Sequence, residues 1–239
     1  MNKLSIITVT YNAEQTLERT LKSVRSQSYS DIEHIVVDGK STDNTISLIK
    51  KLEGDKMKWI SEPDQGLYDA MNKGIKMATG DYLCFLNAGD TFFNENTVKL
   101  IMQSNNTADI FYGETAIVDI NGKFLHMRRL KTPEKLTWRS FKQGMLVCHQ
   151  AFIVRREIAE PYDLSYHFSS DFDWSIRMLK KSETIINTNH ILINYLNEGM
   201  TTTNRSKSLK ERYLIMVKHY GHVSTLLHHL WFLVRFLIK

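Results

Sequence analysis

The stretch GDYLCFLNAGD, residues 80–90, decides how the rest of the chain is read. Tyr82 to Leu86 is a short apolar run with aromatic residues, the composition of a buried strand. It stops at Asn87-Ala88-Gly89-Asp90, where small residues let the backbone turn and a carboxylate follows at once. In open α/β sheets, ligands bind just beyond the carboxyl ends of the strands. An acidic residue there can hold a divalent cation against phosphate oxygens. It can equally cap a helix beginning near Asn94, and this stretch alone leaves both readings open.

Working back from it, the chain alternates. Leu4 to Thr10 is rich in β-branched residues and reads as a strand. Leu17, Leu21 and Val24 recur at helical spacing within Ala13 to Ser26. Ile32 to Val37 is a second strand, Thr45 to Leu52 a second helix, Met57 to Ile60 a short third strand and Leu67 to Met77 a third helix. Strand and helix in strict alternation predict an α/β fold, a mostly parallel central sheet flanked by helices with right-handed crossovers. Each strand runs into a polar or acidic loop: Tyr11-Asn12, Asp38, Asp64 and Asp90. Four such loops on one rim make a single polar crevice.

Beyond residue 105 the character changes. Asp109 to Asp119 reads as strand, and Asn121-Gly122 is a hairpin signal leading into Lys123 to Met127. Ala151 to Val154 is another strand, Ser169-Ser170-Asp171 opens a helix, and Thr184 to Tyr195 is β-like. From Ser206 the chain reads as helix to its end, interrupted near Gly221. The expected organisation is one domain over 1–200, split into halves 1–105 and 106–200, followed by an amphipathic helical tail over 205–239.

Composition sets the class. The 239 residues are 24% charged and 42% hydrophobic, ordinary for a globular protein, and the formal charge of +5 favours anionic partners. The positive charge forms no stripe with aromatic residues in the sheet region, which argues against nucleic acid. Cys84 and Cys148 both lie in apolar runs and read as buried thiols in a reducing compartment. The opening LSIITVT lacks a cleavage-site pattern, and no apolar segment reaches the ~20 residues a membrane-spanning helix needs. A cytoplasmic protein is expected, attached peripherally to the inner face of the membrane.

Asp38 stands where a carboxylate could accept hydrogen bonds from a base or ribose, while Ser41 or Thr42 caps the next helix and Asp43 favours its dipole. No GxxxxGK[ST] and no GxGxxG follows a strand, which disfavours P-loop and dinucleotide chemistry. Asp171 at a helix start is either a first-turn carboxylate or an ionised base. His149 reads as a buried structural histidine, with a site contact as the alternative. Trp138 and the Arg128-Arg129 pair read as surface, with an acceptor-loop feature as the alternative.

SIITVTYNAEQTLERTLKSVRSQSY, VVDGKSTDNT, GLYDAMNKGIKMATGDYLCFLNAGD, CHQAFIVRR and SSDFDWSIRML together resemble the inverting nucleotide-sugar glycosyltransferases of the GT-A fold, over roughly residues 1–195. The flavour is that of bacterial enzymes assembling capsule, exopolysaccharide or O-antigen. The resemblance implies a Rossmann-like GT-A domain with a C-terminal helical extension and a UDP- or GDP-sugar donor. Thr10, Tyr11 and Asp38 are then donor contacts, joined by Asn12, Asp64, Gly66 and Asn72. Asn87, Ala88 and Gly89 lie against the diphosphate, Asp90 binds Mg²⁺ or Mn²⁺, and Asp171 is the general base. The acidic cluster is reduced here to one carboxylate, and Met71 precedes Asn72 where many members have arginine.

A sugar-nucleotide pyrophosphorylase is a competing expectation, although Thr10-Tyr11-Asn12 lacks its Gly-rich basic loop. A transferase-like binding module is another. In the tail, Val223, Leu226, Leu227, Leu230, Val234, Leu237 and Ile238 share one helical face, with Thr225, His228, His229, Arg235 and Lys239 opposite and Phe232 interrupting them. Trp231 and Phe236 suit the level of lipid head groups. That face is expected to meet a membrane holding a glycan or polyprenyl-linked acceptor, the alternatives being the catalytic body or a second copy in a homodimer.

Overall fold

The computed structural model describes residues 2–197 and 205–237. The first half follows the expected alternation: β1 (Leu4–Thr10), α1 (Leu17–Arg25), β2 (Ile32–Asp38), α2 (Thr45–Leu52), β3 (Met57–Ser61), α3 (Leu67–Met77) and β4 (Tyr82–Phe85). After it come β5 (Thr91–Phe92), α4 (Thr97–Ser104), β6 (Ile110–Val118), β7 (Phe124–Met127), β8 (Phe152–Arg155), α5 (Ser170–Lys181) and β9 (Ile185–Leu196). Two helices follow, α6 (Arg205–Tyr220) and α7 (His222–Leu237).

Among the described residues, all nine strands join one sheet in the order β3-β2-β1-β4-β8-β6-β9-β5, with β7 added to β6. The pairs among β3, β2, β1 and β4 are parallel, so their carboxyl ends and the four polar loops share one rim. Past β4 the sheet is mixed: β8 is antiparallel to β4 and β6, whereas β6 and β9 are parallel.

Every residue of β1 and β2 is buried, because both faces of these strands are covered. Side chains alternate between the faces. Ile7, Val9, Ile35 and Val37 meet Tyr68, Ala70 and Met71 of α3 and the apolar side of α5. Val36 turns the other way, onto Leu17 and Leu21 of α1 and Ile49 of α2. α3 lies so close that a Cβ at Gly74 would sit 2.4 Å from Ile7 Cγ2, which only glycine avoids.

α6 is part of this packing. Ile215 and Met216 are buried in the same core as α3 and α5. Ser169 Oγ meets Ser208 Oγ at 2.9 Å, and the Tyr220 hydroxyl donates to the Trp138 carbonyl at 2.6 Å. Trp138 and Tyr220 stack with centroids 5.5 Å apart, so Trp138 clamps the tail instead of facing solvent freely.

The helix near Asn94 begins at Thr97, and Asn94, not Asp90, supplies its entry turn by accepting from the Asn96 N–H at 2.9 Å. Asp90 is therefore not a helix cap.

His34 on β2 is buried, with Nε2 2.9 Å from Thr8 Oγ1, and burial pushes its pKa from 6.5 down to about 3. Below pH ~6.5 the unfolded chain takes up a proton that the fold refuses, so this group's contribution falls as pH drops. In urea denaturation, His34→Gln should gain on the wild type by about 1.4 kcal/mol per pH unit between about pH 6 and pH 4. A constant difference would mean that His34 is already charged in the fold.

Candidate active site

A cleft of about 680 Å³ opens over the shared rim. Thr10, Tyr11, Asp64, Gly66, Asn87, Ala88 and Asp90 line it from the first half of the chain, and Asp171 from the second. Tyr11 is 63% exposed at the mouth. Gly66 takes φ +115°, a left-handed conformation that favours glycine, as its N–H bonds Asp64 Oδ1 at 2.8 Å. That turn delivers α3 with Tyr68 facing the cleft.

Asp90 is buried beneath the wall. Its Oδ2 accepts from the Gln150 side-chain amide at 2.8 Å and its Oδ1 from the Leu196 N–H at 2.9 Å. Burial raises its pKa to about 7, and these two neutral donors only partly offset the cost of the charge.

Asp171 occupies the first turn of α5. Its Oδ1 accepts from the Phe172 N–H at 2.9 Å and from the Tyr68 hydroxyl at 3.1 Å. The first-turn role and the cleft role thus coexist on one side chain. Burial, reinforced by Asp171, pushes the Tyr68 pKa well above its ordinary value, so the phenol stays a neutral donor. Behind it lies an aromatic floor. Tyr68 stacks on Tyr162 at 5.5 Å and Tyr162 on Trp174 at 5.0 Å, while the Tyr162 hydroxyl meets His149 Nε2 at 2.8 Å. Burial lowers the His149 pKa to about 4, which leaves the ring neutral. His149 is both buried and on the cleft wall.

Several expected contacts lie elsewhere. Asp38 is fully buried and off the wall: Oδ2 accepts from the Ser41 N–H and the Ser61 hydroxyl, and Oδ1 from the Ser41 hydroxyl. Its carboxylate shapes the loop, and Ser41 serves it rather than capping α2. Asn12 takes φ +48° and accepts the Thr42 N–H at 2.9 Å, joining two rim loops. Asn72 is saturated by the Tyr162 backbone, donating to its carbonyl at 3.1 Å and accepting its N–H at 2.7 Å. Gly89 packs under Leu196, which a Cβ would approach to 2.7 Å.

Among the described residues, six buried side-chain polar atoms lack a partner, and four belong to the cleft: Thr10 Oγ1, Asn87 Oδ1, His149 Nδ1 and Arg212 Nε. Buried polar groups are ordinarily satisfied, so their concentration here marks a place built for a polar ligand.

The Glycosyl transferase family 2 profile matches residues 5–162. The chain belongs to this family. It is 31% identical over 222 residues to a PGL/p-HBAD biosynthesis glycosyltransferase of Mycobacterium bovis (strain BCG / Pasteur 1173P2), covering 87% of this chain and 82% of that one. It is 26% identical over 220 residues to the Escherichia coli UDP-Glc:alpha-D-GlcNAc-diphosphoundecaprenol beta-1,3-glucosyltransferase WfgD, covering 89% and 85%. Its fold is that of S. aureus TarS 1-349, solved with UDP-GlcNAc, at TM-score 0.67 and 18% identity, and of the Pyrobaculum calidifontis mannosyltransferase PcManGT, solved with GDP-Man and Mn²⁺, at 0.66 and 15%. These cover 90% and 91% of this chain but 66% and 64% of the solved chains, which extend beyond it. Family membership sets the pyrophosphorylase alternative aside.

Two cations of this glycosyltransferase reach the cleft, Arg128, for which the sequence favours a surface place, and Arg212, which the sequence reading missed. Arg128 is turned inward: Nη1 donates to the Leu130 and Leu146 carbonyls and Nη2 to that of Met145, at 3.2, 3.1 and 2.6 Å, on the cleft wall. Arg212 reaches the same cleft from α6, its guanidinium 5.8 Å from the Phe172 ring centroid. A signal for Arg212 exists, since Ser208, Ile215 and Met216 on its helical face are buried.

No group of three His, Cys, Asp or Glu side chains able to hold a metal occurs among the described residues. Asp90 and the unpartnered Asn87 Oδ1 nevertheless offer two hard oxygens, and Mg²⁺ commonly takes one or two carboxylates plus substrate phosphates. The donor set fits a cation shared with a diphosphate.

If Asn72 is structural, Asn72→Ala should cost about 1–3 kcal/mol in urea denaturation by orphaning the Tyr162 backbone groups. Unchanged stability would return Asn72 to the donor-contact set.

Proposed function

We propose that this glycosyltransferase transfers one sugar from a UDP- or GDP-linked donor to a hydroxyl of a glycan or polyprenyl-linked acceptor, with inversion, in the assembly of a bacterial surface polysaccharide. The carrying observation is that Asp171, oriented by Tyr68, faces the same cleft as Asn87 and Asp90. The relatives' names support a lipid-linked acceptor, and the neighbours' bound donors support a nucleotide sugar.

In this reading the acceptor oxygen attacks the anomeric carbon from the Asp171 side. Its proton passes to the Asp171 carboxylate as the bond to the diphosphate breaks. One face-specific base and direct displacement give inversion. Tyr68 keeps the carboxylate aimed, and neutral His149 holds the Tyr162 support beneath it. Arg128 and Arg212 place positive charge around the departing diphosphate. Mg²⁺ or Mn²⁺ held by Asp90 and Asn87 would supply Lewis-acid neutralisation of the same group. The two free buried thiols, Cys84 and Cys148, accord with a cytoplasmic setting.

Asp171→Asn should retain UDP or GDP binding in a thermal-shift assay and lose ~10²–10⁴-fold in transfer rate. Collapse of nucleotide affinity with the transfer rate intact would make Asp171 a binding residue.

Asp90→Asn tests the cation separately. The variant should keep the wild-type melting temperature without metal, because it removes a buried charge and keeps an acceptor for Leu196. It should lose the additional rise that Mn²⁺ produces with UDP or GDP. A full Mn²⁺ response in the variant would remove Asp90 from the cation site.

A further inference from the structure

α7 is amphipathic in the inverted sense. Thr225 is fully buried, and His229 packs between Tyr213 of α6 and Phe232, with centroids 5.2 and 5.4 Å away. Phe232 in turn rests against the main core. The side facing the protein is thus the more polar one. Val223, Leu226, Leu227, Leu230, Trp231 and Val234 point outward, each between 43% and 75% exposed. At ~100° per residue they fill one stripe ~140° wide, opposite Thr225 and Phe232. Ile238 and Lys239 lie outside the described residues, as do the side chains of Arg235, Phe236 and Leu237.

We infer that α6 and α7 form a docking surface for a bilayer carrying anionic lipid, with α7 lying in the plane of the interface. The sixteen described residues of α7 extend ~24 Å at ~1.5 Å each, shorter than a hydrocarbon core of ~30 Å. No helix among the described residues is long and apolar enough to cross. An apolar stripe with aromatic residues and flanking cations is the form that inserts at the head-group boundary.

Charge selects the occupant. Residues 205–239 hold seven Lys or Arg and one Glu, whereas residues 1–204 hold 24 and 25, so the net positive charge resides in this C-terminal stretch of sequence. Lys207 and Lys210 are exposed on α6, beside the exposed Leu209 and Leu214. Each Lys or Arg near an anionic surface adds to the attraction. Two copies meeting through α7 would bring like charge to like charge, so a second chain is the poorer complement. α6 also carries Arg212 into the cleft, which sets the cleft beside the docked surface, where a lipid-linked acceptor would arrive.

The test uses the full chain with vesicles of phosphatidylcholine alone or with 30% phosphatidylglycerol. Flotation should recover the protein with the anionic vesicles and not with the neutral ones, and raised salt should weaken binding. Tryptophan emission should shift to the blue on binding, and Trp231→Phe should abolish that shift. Leu227→Glu combined with Leu230→Glu should lower vesicle affinity at least tenfold while the melting temperature holds, since both side chains are exposed. The inference falls if the wild type ignores anionic vesicles, or if the double variant binds them equally well. It also falls if the lipid-free wild type is a dimer at micromolar concentration that the double variant dissociates, because a second copy then covers the stripe.

Discussion

The Asp90 carboxylate is 4% exposed and joins partners 60 and 106 residues away, the Gln150 side chain and the Leu196 backbone. The turn after β4, the approach to β8 and the end of β9 meet at those two hydrogen bonds. Gln150 further accepts from Cys148 Sγ at 3.1 Å, and the Thr20 hydroxyl donates to the Asp90 carbonyl at 2.8 Å, which draws in α1. The wall of the cleft depends on this node. Placing a carboxylate there is costly, because neither partner is charged and burial opposes ionisation. A divalent cation would reverse that balance by favouring the ionised form.

α5 shows the opposite arrangement two residues apart. Asp171 and Asp173 lie ~200° apart around the helix, so one faces the cleft and the other the tail. Burial pushes Asp173 upward, but bonds from His219, Arg177 and Lys218 outweigh it and hold the carboxyl well below the usual range. Arg177 Nε lies 2.7 Å away, Lys218 Nζ 3.1 Å and His219 Nε2 2.8 Å. Such a saturated carboxylate anchors structure and has nothing left for chemistry. Asp171 accepts only two neutral donors, both on Oδ1, and remains open to the cleft. The local sequence SSDFDW does not say which aspartate is which; the helix period and the partners do.

Legibility followed the same division. Apolar runs and their period carry the order of β1 to β4 and α1 to α3, because burial on both faces demands them, and the rim loops follow from parallel pairing. The sequence places Asp38 and Asn72 near that rim but is silent on whether their polar atoms are free. Those atoms are taken by Ser41, Ser61 and the Tyr162 backbone, contacts spanning 3 to 90 residues. Arg128 looked like surface because adjacent arginines usually are. Three carbonyls of the 130–146 segment, which no periodicity describes, turn it inward. Asp171 and Asn87 line the cleft because both stand at element ends that open onto it.

α6 links the C-terminal helices to the cleft. Its Glu211 accepts the N–H groups of His167 and Phe168 at 2.9 and 2.8 Å, and both residues line the cleft. One residue on, Arg212 enters the cleft itself. Its carboxyl end is pinned by Lys218 and His219 on Asp173 and by Tyr220 on Trp138. Gly221 then turns the chain with φ +80°, a conformation that favours glycine, and α7 folds back so that His229 reaches Tyr213. α7 is therefore seated on a helix that is fixed along its length and in contact with the cleft. The apolar stripe of α7 and the Asp171 carboxylate of α5 are thus joined through α6 by packed and hydrogen-bonded contacts.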